Sequence, residues 1–158
     1  MILTDKWFTT IGSDQNNAIV IINGRLDIEN FVKSGKFKYR IEIRLPYSSD
    51  SKGMPDKPAE RMIGQVEELL RPKMEKDKLA ILTGNHLGGG VKYWVFYART
   101  DKVFFERLNE ALAELPLLPL EFDNEIDPEW SEYLDMLTLA PTENEEYDEE
   151  EIGEVDEE

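Results

Sequence analysis

Over residues 39–45 apolar and charged side chains alternate: Tyr39, Ile41, Ile43 and Leu45 face one way, Arg40, Glu42 and Arg44 the other. That is the period of a strand with one buried face. The run "VKYWVFYA" (91–98) is apolar on both sides, with Tyr93, Val95 and Tyr97 against Trp94, Phe96 and Ala98, and reads as a central strand. Shorter β-like runs occupy residues 7–11, 18–24, 79–84 and 118–122. Pro119 puts the last of these on a sheet edge, because it cannot donate to a ladder on both sides.

Elsewhere the period lengthens to that of a helix. Met62, Ile63, Val66, Leu69 and Leu70 form one stripe, with Asp56 as N-cap ahead of Pro58. Pro72 predicts an end or kink near Leu70. A second helix starts at Thr100 or Asp101 and buries Phe104, Leu108, Ala111, Leu112 and Leu115. A third opens at "DPEW", with Asp127 as cap, Pro128 in the first turn, and Trp130, Tyr133, Leu134 and Leu137 facing inward. From Tyr39 onward the order is β-α-β-β-α-β. The predicted fold is therefore α+β, a ferredoxin-like split βαβ with an added N-terminal β-hairpin and C-terminal helix.

The segment "GNHLGGGVKYW" tests for phosphate chemistry. A phosphate loop feeds glycines into a helix N-terminus, whose N–H groups hold the anion. Here Gly88, Gly89 and Gly90 lead into the strongest strand of the chain, with no Lys-Ser or Lys-Thr behind them. They read as a hairpin turn, where glycine adopts positive φ without a clash. His86, the only histidine, is expected on that exposed loop and not in catalysis, since there is no cysteine or second histidine to join it. Asp123, Glu125 and Asp127 alternate like calcium ligands, but the sixth and twelfth places counted from Asp123 hold Pro128 and Leu134, where a calcium loop needs Gly and Glu. No cofactor, metal or catalytic residue is indicated, and the reading is non-enzymatic.

Charge divides the 158 residues in two. Residues 143–158 carry 11 of the 34 acidic residues and no basic one, while the other 142 hold 23 acidic against 18 basic, a net of −5. Residues 1–141 are read as one domain and 142–158 as an acidic tail, disordered when free. The net charge of −16 argues against DNA, RNA and anionic membranes as partners and favours a protein with a basic surface. The absence of cysteine, of a signal-like start and of any apolar run near ~20 residues suits the cytoplasm.

One surface is singled out as a possible binding face: Arg40 and Arg44 of a basic strip, His86, and the aromatic strand with Tyr93, Trp94, Phe96 and Tyr97. Two expectations compete for the aromatics. They could be displayed for stacking single-stranded RNA, or be core residues covered by the last helix or the hairpin, with Trp130 and Trp7 placed for it. The acidic tail could fold back on the basic strip and compete with a partner.

Trp7, "GMPD" running into "MIGQVEELL", "YWVFYARTD" and "DPEWSEYLDMLTLAP" resemble the bacterial family called domain of unknown function 695. The resemblance spans about residues 7–141. It implies an α+β fold. Related proteins often join this domain to one resembling the regulator of ribonuclease activity B, an acidic nuclease inhibitor, which hints at a regulatory, protein-binding role. The expected function is a non-catalytic module acting on a basic partner. A toxin-immunity protein, a carboxylate/tyrosine-based enzyme and an RNA binder are the alternatives.

Overall fold

The computed structural model describes residues 2–141. The acidic tail, its predicted disorder and its contact with the basic strip lie outside the described residues. The elements are β1 (Lys6–Ser13), β2 (Ile19–Leu26), α1 (Glu29–Ser34), β3 (Tyr39–Pro46), α2 (Lys57–Met74), β4 (Ala80–Gly88), β5 (Val91–Ala98), α3 (Asp101–Ala111), β6 (Glu121–Ile126) and α4 (Ser131–Leu137). One six-stranded sheet has the order β1-β2-β4-β5-β3-β6, with every pair antiparallel. Helix α2 carries the chain from β3 past β5 to β4, and α3 carries it from β5 past β3 to β6. None of the described helices is long and apolar enough to cross a membrane.

The centre of the sheet is buried on both faces, which explains why β5 is apolar on both sides. Trp94, Phe96 and Ala98 pack with Ile41, Ile43 and Leu45 beneath α2 and α3. Val95 and Tyr97 pack with Ile81 beneath α1 and α4, through Phe31, Trp130 and Tyr133. Trp94, Phe96 and Tyr97 are at most 1% exposed. The core expectation for these three holds; they are not surface residues. Trp130 does cover the second face. Trp7 does not: it packs on the α2 side instead.

Several elements differ from the sequence reading. Helix α3 ends at Ala111, short of Leu112 and Leu115, and α4 begins only at Ser131, after Trp130 takes a left-handed φ of +58°, so Pro128 precedes the helix and Leu134 is exposed and not inward-facing. Helix α2 runs through Pro72 to Met74. Pro72 is exposed in the last turn, while fully buried Met74 gains by continuing the helix, and Arg107 Nη1 donates to the Lys73 and Lys76 carbonyls, at 3.3 and 2.7 Å. The last strand starts three residues later than predicted, because Leu118 and Leu120 pack against the core as connection; its edge position holds. Helix α1 has too few residues to show a period, yet it buries Phe31 and ends on left-handed Gly35. Finally, His86 lies within β4, half-buried, and not on the turn.

The turn itself is a two-residue reversal at Gly89 and Gly90, with φ of +62° and +84°. Gly88 has φ +151°, and a Cβ there would sit 2.3 Å from the Ile19 carbonyl oxygen. That oxygen belongs to a paired backbone and cannot step aside. Gly88→Ala is therefore expected to lower stability by about 2–3 kcal/mol. Gly90 has open space around its Cβ, so Gly90→Asn should cost under ~1 kcal/mol. Urea titrations of the two variants check the contrast.

Candidate functional site

The predicted surface residues separate by face. Trp94 and Phe96 lie under α2 and α3; Arg40, Arg44, His86, Tyr93 and Tyr97 share the other side of the sheet, in register across β3, β5 and β4. The basic strip is not free. Glu42, between the two arginines on the same strand, pairs with Arg40 at 3.2 Å and with Arg44 at 2.6 Å. The edge strand adds Glu125 to Arg40 at 3.6 Å, and Glu121 and Asp123 to Arg44 at 3.4 and 3.9 Å. The hydrogen bond to Glu42 raises the Arg44 pKa against the opposing pull of its partial burial. Each guanidinium is thus engaged by carboxylates on both sides.

His86 stands beside Tyr93, ring centroids 5.8 Å apart. Burial lowers its pKa; Glu42 pulls the other way, and Arg40 and Lys92 reinforce the lowering. The lowered pKa favours the neutral imidazole, and no hydrogen bond to its ring is made by the described residues. Among those residues no group of three His, Cys, Asp or Glu side chains is arranged to hold a metal ion. Tyr97 serves α4: its hydroxyl donates to Asp127 Oδ2 at 2.6 Å, accepts from the Tyr133 amide, and its ring stacks on Trp130 at 4.2 Å. Burial, then Asp127, push its pKa far up, so it stays a donor.

A second constellation lies on the α2 face, where the sheet extends beyond the helices toward β1. Trp7, Asn23, Glu67, Leu70, Arg71, Leu82, Asn85 and Trp94 line a cleft of about 250 Å³. Its polar floor is ordered from one end. Lys92 is 5% exposed and its ammonium has only hydrogens to give. It donates to Asn85 Oδ1 at 3.0 Å and pairs with Glu67 Oε2 at 3.1 Å. Asn85 must therefore present its oxygen to the lysine, and the same oxygen accepts from Asn23 Nδ2 at 3.1 Å. Asn23 Oδ1 in turn accepts from the Thr9 hydroxyl at 2.7 Å. The lysine thus fixes the orientation of both amides. Trp94 Nε1 donates to the same Glu67 oxygen at 3.2 Å. Asn85 Nδ2 and Glu67 Oε1 have no hydrogen-bond partner among the described residues.

The cleft's side wall is equally organised. Arg71 lies over the Trp7 ring at 5.4 Å and bonds Asp5 at 2.9 Å and Glu75 at 3.1 Å. The Trp7 Nε1–H and then Arg71 hold the Asp5 carboxyl below its ordinary pKa. Behind it Arg25 pairs with Glu75. Three cations, Arg25, Arg71 and Lys92, face three carboxylates, Asp5, Glu67 and Glu75, so the cleft is neutral as a whole.

No local motif marks this cleft, because its members span residues 7–94 and come from β1, β2, α2, β4 and β5. Two signals could have marked it. Asn23 and Asn85 sit inside strands, where Asn is depleted, and Lys92 is the one charged residue of the otherwise apolar and aromatic strand β5. Comparison with known proteins adds a family and no chemistry: the model described as "Family of unknown function (DUF695)" matches residues 5–138. No curated protein and no solved structure matches the chain.

Proposed function

The chain belongs to the DUF695 family of unknown function, and from that premise we propose that it is a non-catalytic, regulatory binding module of the cytoplasm that offers an acidic sheet edge to a basic segment of a partner protein. The strand order β6-β3-β5-β4 supports a ferredoxin-like split βαβ, with the β1–β2 hairpin extending it at the β4 side.

The observation that carries the reading is strand β6. Among the described residues it pairs on one side only, with β3, and all six of its own residues are exposed. An edge strand presents unpaired backbone groups that an extended segment can join. Around it Glu42, Glu121, Asp123 and Glu125 outnumber Arg40 and Arg44, and Glu129, Glu132 and Asp135 are exposed on and ahead of α4. Such charge blocks indiscriminate pairing and favours a basic strand. Inhibition of a nuclease through its cationic channel, or immunity toward a basic toxin, would be instances of the same recognition.

Calorimetry tests this with two synthetic peptides, one alternating Lys and Val, the other Glu and Val. The basic peptide should bind at low salt and weaken at least tenfold in 0.5 M salt. Changing Glu121, Asp123 and Glu125 together to Lys should abolish that binding. Equal affinity for both peptides, or no effect of the triple change, would refute the reading.

A further inference from the structure

We propose that the cleft between Trp7 and Trp94 is a small-molecule site for an uncharged, planar heterocycle with a hydrogen-bond donor beside an acceptor, of which a nucleobase is the type. It stands apart from the acidic edge, since the cleft adjoins β1 and β6 is the opposite margin of the sheet.

The first support is the buried lysine. Burying an ammonium is costly, and an apolar residue at position 92 would stabilise the fold at least as well. What Lys92 does accomplish is positional: it holds the Asn85 amide and the Glu67 carboxylate side by side on one nitrogen, at 3.0 and 3.1 Å. Second, the direction of the relay leaves a defined remainder. Lys92 consumes Asn85 Oδ1 and Glu67 Oε2, so among the described residues an amide donor, Asn85 Nδ2, and a carboxylate acceptor on half-exposed Glu67, Oε1, are left without protein partners on the two residues that Lys92 joins. A ligand edge carrying an acceptor next to an N–H donor answers both, as a lactam or an aminopyrimidine edge does.

Third, the walls and charge narrow the class. Trp7, Leu70, Leu82 and the rim of Trp94 enclose the polar floor with flat or apolar surfaces. Every cation nearby already has a carboxylate partner, at 2.6–3.1 Å. A phosphate would find no free cation and would meet Glu67, so the base and not the phosphate is the recognised part.

The full chain is titrated with adenine, hypoxanthine and uracil, followed by tryptophan fluorescence and calorimetry. Caffeine serves as a ring of similar shape with no N–H donor, AMP as the phosphorylated counterpart, and glucose as a neutral hydroxyl-bearing ring. At least one base should bind saturably, caffeine at least tenfold more weakly, and AMP no more tightly than adenine. Trp130 is buried on the other face, so the fluorescence change should arise from Trp7 and Trp94, which line the cleft, and Trp7→Phe should reduce it. Glu67→Gln should weaken the base at least tenfold, because the amide can keep its oxygen on Lys92 only by turning a donor into the cleft. No saturable binding of any base, equal binding of caffeine and bases, or binding of glucose alone would overturn the proposal. The caffeine comparison uses the unaltered chain and does not depend on any variant folding.

Discussion

Glu75→Ala is expected to lower the unfolding free energy by about 3–5 kcal/mol, the largest single effect on this fold. Arg25 is 1% exposed. Its Nη1 donates to Glu75 Oε2 at 2.6 Å and to the Leu82 carbonyl at 3.0 Å, and its Nε and Nη2 donate to the Thr4 carbonyl. Burial lowers the Arg25 pKa, and Glu75 is the main opposing influence. Without that carboxylate the guanidinium remains charged in a site that cannot hydrate it. Glu75 also accepts from the Leu82 amide at 2.9 Å and anchors Arg71, so its loss frees a buried N–H and the cleft wall together.

The charge, and not the lost contacts alone, should dominate. Replacing both partners with apolar residues of similar volume, Arg25→Met with Glu75→Leu, is therefore expected to recover more than half of the loss. Urea unfolding of wild type, both single variants and the double variant measures this. A Glu75→Ala cost below 1 kcal/mol would mean that water reaches Arg25 despite its burial.

What could be read in advance follows from how local each signal is. The strand at 39–46 and the hairpin at Gly88–Gly90 were legible because a period of two and three consecutive glycines are decided by neighbours in the chain. The Asp56 cap was legible for the same reason, and its side chain does accept from the Ala59 amide at 2.9 Å. The end of α2 was not, because the proline rule is local while the burial of Met74 is a tertiary gain. His86 was misplaced because the reversal uses only Gly89 and Gly90, so β4 runs on through Gly88 and pairs with β5 on one side and with β2 on the other. The cleft was hidden for a related reason. Each of its residues has an ordinary local explanation, and only the pairing of β2 with β4 brings Asn23 against Asn85. Polar residues inside strand patterns were the one accessible warning.

Asp127 is the second position at which a single change should tell most. It carries three jobs at once: Oδ2 accepts from the Tyr97 hydroxyl at 2.6 Å and from the Glu132 amide at 3.1 Å, and Oδ1 accepts from the Ser131 amide at 3.0 Å. It therefore both caps α4 and ties that helix to β5. Asp127→Ala leaves the buried Tyr97 hydroxyl without its acceptor and two helix N–H groups uncapped, for an expected loss of about 2–4 kcal/mol. Burial alone would raise the carboxyl pKa, but the hydrogen bonds from Tyr97, Glu132 and Ser131 outweigh it and hold the value below the ordinary 3.8. A group with a depressed folded pKa contributes stability that is complete above its unfolded pKa and is lost as pH falls through the folded one. The wild type should thus shed this contribution below about pH 4, while Asp127→Asn, which has no proton to take up there, should not. The difference between their stabilities should shrink steadily as pH falls. Trp130 reports it directly, because its ring stacks on Tyr97 and its Nε1 donates to the Phe37 carbonyl only while α4 is docked. A constant difference across that range would show that the carboxylate's charge contributes nothing and that the cap acts through shape alone.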